Sequence, residues 1–381
     1  MLDFVIEALQ RTGAEISLAY YKPYSVAEEL SVPLHKIFFR RPQTLEEQYK
    51  GIPCFAIGCW LPELEFTHYR RSRHWDTLIE SHDLHLAVSG SCMAARSLLE
   101  KRVSFMGWIA TDWEGDRFHR VSQFSLLRRT LDRLLIQPVA KRIEKRIIDS
   151  GRLVALSAAT LEQMNSLVPQ PKIQHVVHRP IDTDKFKPSQ QPVGRPTIGF
   201  IGRFEDPRKN LSLLFHVTQH LLRDFPDLKL MLVGDQLSST SEHEIDELGI
   251  GPAIEVHDYV EQEALPILLN KLDVFVLPSH QEGLCIAALE AMACGVPVVS
   301  TRCGGPESYI DSGRNGVLCE HDAGVVADAV LQLLSEPERR ATYAARARRT
   351  IIEQFSVDTQ SQKFIRLMSD YTSSMPTNGP T

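Results

Sequence analysis

Short apolar runs alternate with helical patterns through the second half of the chain. The pattern predicts strands at 197–202, 229–235, 254–260, 274–279 and 297–301, with helices at 211–223 and 285–293. Near-continuous apolar strands that alternate with helices are typical of a parallel sheet covered on both faces. The sequence therefore predicts an α/β domain in this half.

The first half is less regular, but it also mixes strands and helices. We predict a helix at 3–12, strands at 15–21, 84–89, 103–110 and 153–157, and a basic helical stretch at 125–150 interrupted near Pro138. The polar, proline-rich segment before residue 197 is typical of a linker. The predicted organisation is a first domain at 1–188, a linker at 189–196, a second domain at 197–355, a C-terminal helix at 356–373 that packs back on the first domain, and a disordered tail at 374–381.

Composition narrows the functional classes. The net charge of −6 over 381 residues gives no overall attraction to nucleic acid. The seven cysteines include no C-x-x-C pair and no signal-like segment is recognised at the start, which favours a reducing, cytoplasmic location. No apolar run reaches the ~18 residues that a membrane-spanning helix needs.

Charged residues and glycines follow the predicted strands of the second half. Gly202 and Arg203 follow the first strand, with Lys209 farther along the same loop, and Gly234 and Asp235 end the second strand. Because ligands of open parallel sheets bind beyond the carboxyl ends of the strands, we expect one site at this edge.

The loop after the fourth strand adds acidic and glycine residues to that edge. Glu282, Gly283 and Leu284 open the following helix, which also carries Glu290. Arginine and lysine suit a diphosphate, a glycine at a helix start lets backbone N–H groups approach an anion, and carboxylates suit sugar hydroxyls. The edge is therefore a candidate site for a diphosphate and a sugar.

Several longer stretches carry a family resemblance. The run EGLCIAALEAMACGVPVVSTRCGGPESYIDSGRNGVL at 282–318 resembles the family 4 retaining glycosyltransferases of the GT-B fold, also called glycosyltransferase group 1. The runs IGRFEDPRKNLSLLF at 201–215, PIDTDKFKP at 180–188 and LVALSAATLEQM at 153–164 are similar to other segments of that family. The resemblance covers about residues 150 to 360 and implies two Rossmann-like domains that face each other across a cleft.

The resemblance implies roles for individual residues. Arg203 and Lys209 bind the donor diphosphate, and Glu282 contacts the transferred sugar, so these three are the predicted catalytic residues. Glu290 contacts the nucleotide ribose. The predicted donor-binding set is completed by backbone groups at Gly283, Leu284, Gly202 and Gly234.

The implied enzyme is a metal-independent hexosyltransferase. It moves a hexose-type sugar, with retention of configuration, from a nucleotide-diphosphate sugar to a lipid, glycan or small-molecule acceptor. No cofactor is expected, because the nucleotide-sugar is a co-substrate. Two alternatives stay open: a non-catalytic nucleotide-sugar binding module, and an epimerase of the same fold.

Ordinary structural explanations compete with these roles. Glu282 and Glu290 are also explained by a helix-start charge and a surface carboxylate, and Arg203 and Lys209 by solvated charges. Asp235 suits a turn or cap better than a ligand role. Asp182 and Asp184 form a D-x-D in the segment before the linker, where a metal role is disfavoured.

The first half offers fewer candidates. Thr111 and Asp112 follow a predicted strand, where the resemblance implies an acceptor-side role; a helix cap is the alternative for Asp112. His68, His74, His82 and His85 are close in sequence but lack the helical spacing of a metal site.

Residues 117–152 form a basic stretch. It carries ten lysines and arginines against three acids, which suits peripheral contact with an anionic membrane on the cytoplasmic side, or a solvated helix face.

The start of the chain departs from the family pattern. Family members open with a buried strand and a glycine-bearing loop, whereas the first residues here predict a helix and then a strand. We therefore expect the first domain to lack its first strand. Either the true start lies upstream, which we favour, or the first domain is remodelled, and both alternatives would affect acceptor binding.

Overall fold

The computed structural model describes residues 1–122, 125–189 and 194–373, which form two compact units. Among the described residues, the first unit contains those in 1–178 and 361–373, and the second contains those in 179–360. The predicted disordered tail at 374–381 lies outside the described residues, as does the part of the predicted linker at 190–193.

The first unit mixes seven strands with helices among its described residues. Its helices are α1 (Leu2–Gln10), α2 (Arg73–Glu80), α3 (Arg96–Lys101), α4 (Trp113–Ser122), α5 (Leu126–Leu131), α6 (Gln137–Asp149) and α7 (Ala158–Ser166). Its strands are β1 (Leu18–Tyr21), β2 (Thr44–Tyr49), β3 (Ile52–Ile57), β4 (Leu86–Ser89), β5 (Met106–Ile109), β6 (Leu153–Ala155) and β7 (His175–Val176). The predicted interruption near Pro138 lies just ahead of that residue, as a π-helical segment at Asp132–Ile136. Pro138 itself is the second residue of α6.

The strands of the first unit divide into two sheets. One has the order β1-β3-β2 and the other β4-β5-β6-β7, so β1 and β4 are edge strands. Both edges line a cavity of about 190 Å³ that Trp75 and Ile79 also line. The first element of the unit is α1.

The second unit is built on one parallel sheet. Its strands are β8 (Thr197–Gly202), β9 (Lys229–Gly234), β10 (Ile254–His257), β11 (Val274–Leu277), β12 (Val298–Thr301) and β13 (Gly316–Cys319). Its helices are α8 (Leu211–Leu221), α9 (Ser239–Leu248), α10 (Leu265–Leu269), α11 (Ile286–Ala293), α12 (Ala323–Ser335) and α13 (Pro337–Phe355). The order β10-β9-β8-β11-β12-β13 places the carboxyl ends of all six strands at one edge.

The core of this sheet is apolar on both faces. Phe200, Leu232, Phe275 and Val299 are fully buried on its inner strands. Buried runs of this kind are what helices on both faces require, and they explain why the pattern of apolar residues located the strands.

The boundary between the units differs from the predicted one. Residues 179–188 belong to the second unit, because the backbone N–H of Ile181 donates to the Phe355 carbonyl. Arg348 also donates to the carbonyls of Phe186 and Thr183. The last described helix, α14 (Val357–Ser373), places Phe364 and Met368 in the apolar core of the first unit.

Candidate functional site

The carboxyl ends of β8 and β9 approach each other closely. Gly202 lies opposite Gly234 in the parallel register, and a Cβ atom at Gly234 would lie 2.0 Å from the Gly202 carbonyl oxygen. The carboxylate of Asp235 accepts a hydrogen bond from the backbone N–H of Phe204. Close packing thus explains both glycines, and Asp235 holds the loop that begins with Arg203, so the turn interpretation of Asp235 is satisfied.

A buried aspartate organises the cations of that loop. Asp206 is 2% exposed and accepts hydrogen bonds from Arg203 Nη2 at 3.1 Å and Arg208 Nη2 at 2.7 Å. These hydrogen bonds raise the pKa of Arg208. Arg203 remains 61% exposed while Asp206 is buried, so its guanidinium can turn toward a ligand at the sheet edge.

Lys209 and Glu282 meet directly. The Lys209 ammonium lies 2.7 Å from Glu282 Oε1, and the Ser279 hydroxyl donates to the same oxygen at 2.7 Å. Their side chains are 17% and 9% exposed, so water screens this pair only partly. An ammonium carries three N–H donors, which allows Lys209 to hold Glu282 and phosphate oxygens together.

The backbone around Glu282 is fixed by the loop that follows β12. The Glu282 N–H donates to the Cys303 carbonyl at 2.7 Å, and the Gly305 N–H donates to the Glu282 carbonyl at 2.9 Å. A Cβ at Gly305 would lie 2.8 Å from the Leu284 nitrogen, so glycine is required there. At Gly283, by contrast, an added Cβ meets no atom within 4 Å. The backbone of Gly283 therefore borders open space directly after Glu282.

Glu290 is a buried carboxyl of the second unit. It is on α11, 6% exposed, and the charges that act on it come from Arg179 and Lys185. Burial raises the pKa of Glu290 to about 7, against the opposing effect of those two cations. A carboxyl that is ready to ionise near neutral pH suits a hydrogen-bond acceptor for hydroxyl groups.

We expect Glu290→Gln to remove a pH dependence of stability. Between pH 4.5 and about 7 the folded protein keeps a proton that the unfolded chain has lost, so the free energy of unfolding falls as pH rises through this window. The variant should therefore be more stable than the parent above pH 7, by up to about 3 kcal/mol. Calorimetric unfolding on both sides of the window measures this. Equal pH slopes in variant and parent would contradict it.

In the first unit, Asp112 caps a helix. It is 7% exposed, and its Oδ1 accepts hydrogen bonds from the Gly115 N–H at 2.9 Å and the Thr111 hydroxyl at 3.2 Å, at the start of α4. The cap alternative is thus satisfied for Asp112. An acceptor-side role for Thr111 and Asp112 stays a prediction.

Sequence reasoning missed Glu144, a neighbour of this cap. Glu144 Oε1 accepts from the Trp113 N–H at 2.7 Å, and the Cys92 thiol lies 3.8 Å away. Burial raises the pKa of Glu144 to about 7. Its helical spacing from the buried residues Ala140, Ile147 and Ile148 of α6 is the signal that could have found it.

Other candidates have local partners. Asp182 accepts hydrogen bonds from the backbone N–H groups of Asp184 and Lys185, which closes a turn. His82 and His85 contact backbone carbonyls. Across the described residues, no three His, Cys, Asp or Glu side chains are grouped to hold a metal ion. In the same part of the chain, no helix is long and apolar enough to cross a membrane.

Comparison with known families decides how the second unit is classified. Residues 182–350 match the family model described as glycosyl transferases group 1. This segment belongs to the group 1 glycosyl transferases. The resemblance found in the sequence is thereby confirmed. The matched segment contains Arg203, Lys209, Glu282 and Glu290, whose roles stay predictions.

A curated relative supports the assignment. D-inositol 3-phosphate glycosyltransferase 2 of Catenulispora acidiphila is 29% identical over 234 residues, which are 55% of this chain and 55% of that protein. The chain therefore spans about half the length of this relative.

Solved structures show the fold of this chain. Sucrose-phosphate synthase from Thermosynechococcus elongatus aligns with a TM-score of 0.69 at 17% identity, over 97% of this chain and 92% of that one. Anabaena HepE in complex with UDP-glucose aligns with a TM-score of 0.65 at 18% identity, over 84% and 86%. The predicted α/β fold of GT-B glycosyltransferases is confirmed.

Proposed function

We propose that this chain is a retaining glycosyltransferase that moves a hexose-type sugar from a nucleotide-diphosphate sugar to a lipid, glycan or small-molecule acceptor. The observation that carries the proposal is the contact between Lys209 and Glu282 at the carboxyl edge of the sheet, inside the segment of the group 1 family. HepE, a neighbour in fold, binds UDP-glucose, which supports a nucleotide-sugar donor.

The proposed reaction uses positioning and charge. The acceptor oxygen bonds to the anomeric carbon as the bond from that carbon to the diphosphate oxygen breaks, and a phosphate oxygen takes the acceptor proton. Arg203 and Lys209 stabilise the negative charge that develops on the leaving diphosphate. Glu282 accepts hydrogen bonds from sugar hydroxyls, and Glu290 does the same for the ribose.

Each proposed donor contact has a local basis. Asp206 holds the base of the Arg203 loop, and Ser279 holds the Glu282 carboxylate. The open space beside Gly283 leaves room for a diphosphate near the backbone N–H groups of Gly283 and Leu284. No metal or cofactor enters the proposed steps, and the cytoplasmic location stays a prediction.

A binding screen tests the donor part of this proposal. We expect one nucleoside diphosphate among UDP, GDP and ADP to raise the melting temperature in the presence of a chelator, because a ligand at a hundred times its Kd stabilises the folded state by about 2.7 kcal/mol. Glu282→Gln should keep nucleoside diphosphate binding but lose sugar release from the matching donor. Glu320→Gln, which changes an exposed ion pair with Arg302, is the matched control.

The same assay separates the alternatives. Release of nucleoside diphosphate with transfer of the sugar supports the transferase. Binding of the intact donor without turnover supports the non-catalytic module, and conversion of the donor sugar without any acceptor supports the epimerase. Absence of binding by every nucleoside diphosphate and nucleotide-sugar tested would contradict the proposal.

A further inference from the structure

Two neighbouring phenylalanines of the first unit lie almost fully in solvent. Phe38 is 93% exposed and Phe39 is 84% exposed, and Leu34 on the same loop is 67% exposed. Single exposed apolar residues are common on protein surfaces, whereas a contiguous group of this size marks a surface that meets a partner. Neither phenylalanine contributes to the proposed donor site, so the group needs another explanation.

The loop that carries these phenylalanines is hydrogen-bonded in place. The backbone N–H groups of Phe39 and Arg40 donate to the Lys36 carbonyl at 3.0 and 3.2 Å. The Arg40 guanidinium donates to the Glu29 carbonyl at 2.7 Å. The two rings are therefore presented outward by an ordered turn.

A second group of exposed apolar residues lies in segment 126–135, and this segment and loop 34–41 both donate hydrogen bonds to Glu63. The Glu63 carboxylate accepts from the Leu34 N–H at 3.1 Å, and the Glu63 carbonyl accepts from Arg128 Nη2 at 2.6 Å. Segment 126–135, which contains Arg128, exposes four leucines: Leu126, Leu131, Leu134 and Leu135. Loop 34–41 and segment 126–135 thus meet at Glu63, and each exposes apolar side chains.

The charges on this surface are mostly positive. Loop 34–41 contains Lys36, Arg40 and Arg41 and no acidic residue. In segment 126–135, Arg129 and Arg133 are exposed. The neighbouring acid Glu63 already accepts a hydrogen bond from the loop. Exposed aromatic and leucine side chains among cations match the interface of an anionic bilayer, where the rings enter the acyl boundary and the cations meet the headgroups.

We propose that loop 34–41, together with segment 126–135, docks the first unit on an anionic lipid surface, with Phe38 and Phe39 inserted. The predicted membrane contact through 117–152 is thereby narrowed, because Arg117 is buried in ion pairs with Glu65 and Asp132 and cannot meet lipid. The surface extends that prediction to a loop which the sequence analysis had not considered.

Vesicle partitioning of the full chain tests this proposal. We expect binding to vesicles of phosphatidylcholine mixed with phosphatidylglycerol, and little binding to phosphatidylcholine alone. Phe38→Ser with Phe39→Ser should lower the partition coefficient at least about tenfold, because two apolar side chains no longer leave water. Lys36→Gln with Arg41→Gln should lower it by roughly tenfold or more, at about fivefold for each cation. Tyr259→Ser, at an 80% exposed aromatic residue of the second unit, is the matched control and should have no effect.

Depth of insertion gives a second measurement that does not depend on any enzyme activity. Phe39→Trp should show quenching by brominated lipids in anionic vesicles. The proposal is overturned by vesicle binding that survives the phenylalanine substitutions, by equal binding to neutral vesicles, or by no binding at all. It is also overturned if size-exclusion chromatography shows a dimer that Phe38→Ser with Phe39→Ser dissociates, since the surface would then join two copies of the chain.

Discussion

Lys209→Met is expected to lower the rate of sugar transfer by about 10²–10³-fold, the usual effect of removing one group that stabilises a leaving anion. The ammonium has two tasks in the proposed site: it holds the Glu282 carboxylate at 2.7 Å and offsets charge on the diphosphate. Methionine keeps the length and apolar stem of the side chain and removes only the charge and donors. The Ser279 hydroxyl still donates to Glu282 in the variant, and the melting temperatures of variant and parent are compared first, because the carboxylate has lost its cation.

Release of nucleoside diphosphate from the donor found in the binding screen measures this effect. Arg302→Met is the matched control, since Arg302 pairs with Glu320 on the exposed surface of the same unit and should retain full activity. Adding Glu282→Gln to Lys209→Met should cost little more than either change alone, because residues that act as a unit are not additive. Turnover within a few-fold of the parent would remove Lys209 from the mechanism.

The second large effect is expected on stability, from Arg117→Met in the first unit. The guanidinium is 2% exposed and forms two forked ion pairs, with Glu65 at 2.8 and 2.9 Å and with Asp132 at 2.6 and 3.0 Å. Its removal leaves a buried carboxylate at Asp132, which is 1% exposed, without its cation. We expect a loss of about 3–5 kcal/mol, the usual cost of breaking a buried ion pair from one side.

Tryptophan fluorescence reports on this unit alone. All four tryptophans of the chain, at positions 60, 75, 108 and 113, belong to the first unit. Denaturant unfolding followed at tryptophan emission should show the shift for Arg117→Met and no more than a few tenths of a kcal/mol for Arg133→Met, at an exposed arginine. Replacing Arg117, Glu65 and Asp132 together by apolar residues should recover much of the loss. A midpoint unchanged by Arg117→Met would contradict this account of the cluster.

The fold of the second unit was largely predictable from its sequence. The predicted strands at 197–202, 229–235, 254–260, 274–279 and 297–301 all exist, with ends that differ by a few residues at most. Strands buried on both faces have a strong apolar signal, so pattern alone located them. The last strand, β13, was missed because it is an edge strand that begins with glycine and is only half-buried at its two central residues, which weakens the apolar signal.

Some strands of the first unit could not be predicted from the pattern of hydrophobic residues. The antiparallel pair β2 and β3 was not predicted, since β2 reads TLEEQY and has no buried residue. Its pairing depends on β3 in space and not on its own hydrophobicity. The two-residue β7 is too short for any periodicity.

The candidate site was predictable in its residue types more than in its contacts. Arg203, Lys209 and Glu282 were located from strand ends and from the resemblance. The roles of Asp206 and Arg208 were missed, although Asp206 before Pro207 is a helix-start signal. Pairing of Lys209 with Glu282 joins residues far apart in sequence, which only the tertiary fold brings within 2.7 Å.

The central claim is that the carboxyl edge of the second unit's sheet binds a diphosphate. A crystal structure of the chain with the nucleoside diphosphate selected by the binding screen tests it most directly. We expect phosphate oxygens within hydrogen-bond distance of Arg203 and Lys209 and of the backbone N–H groups of Gly283 and Leu284. A diphosphate bound elsewhere on the chain, with Lys209 still turned only to Glu282, would contradict the claim.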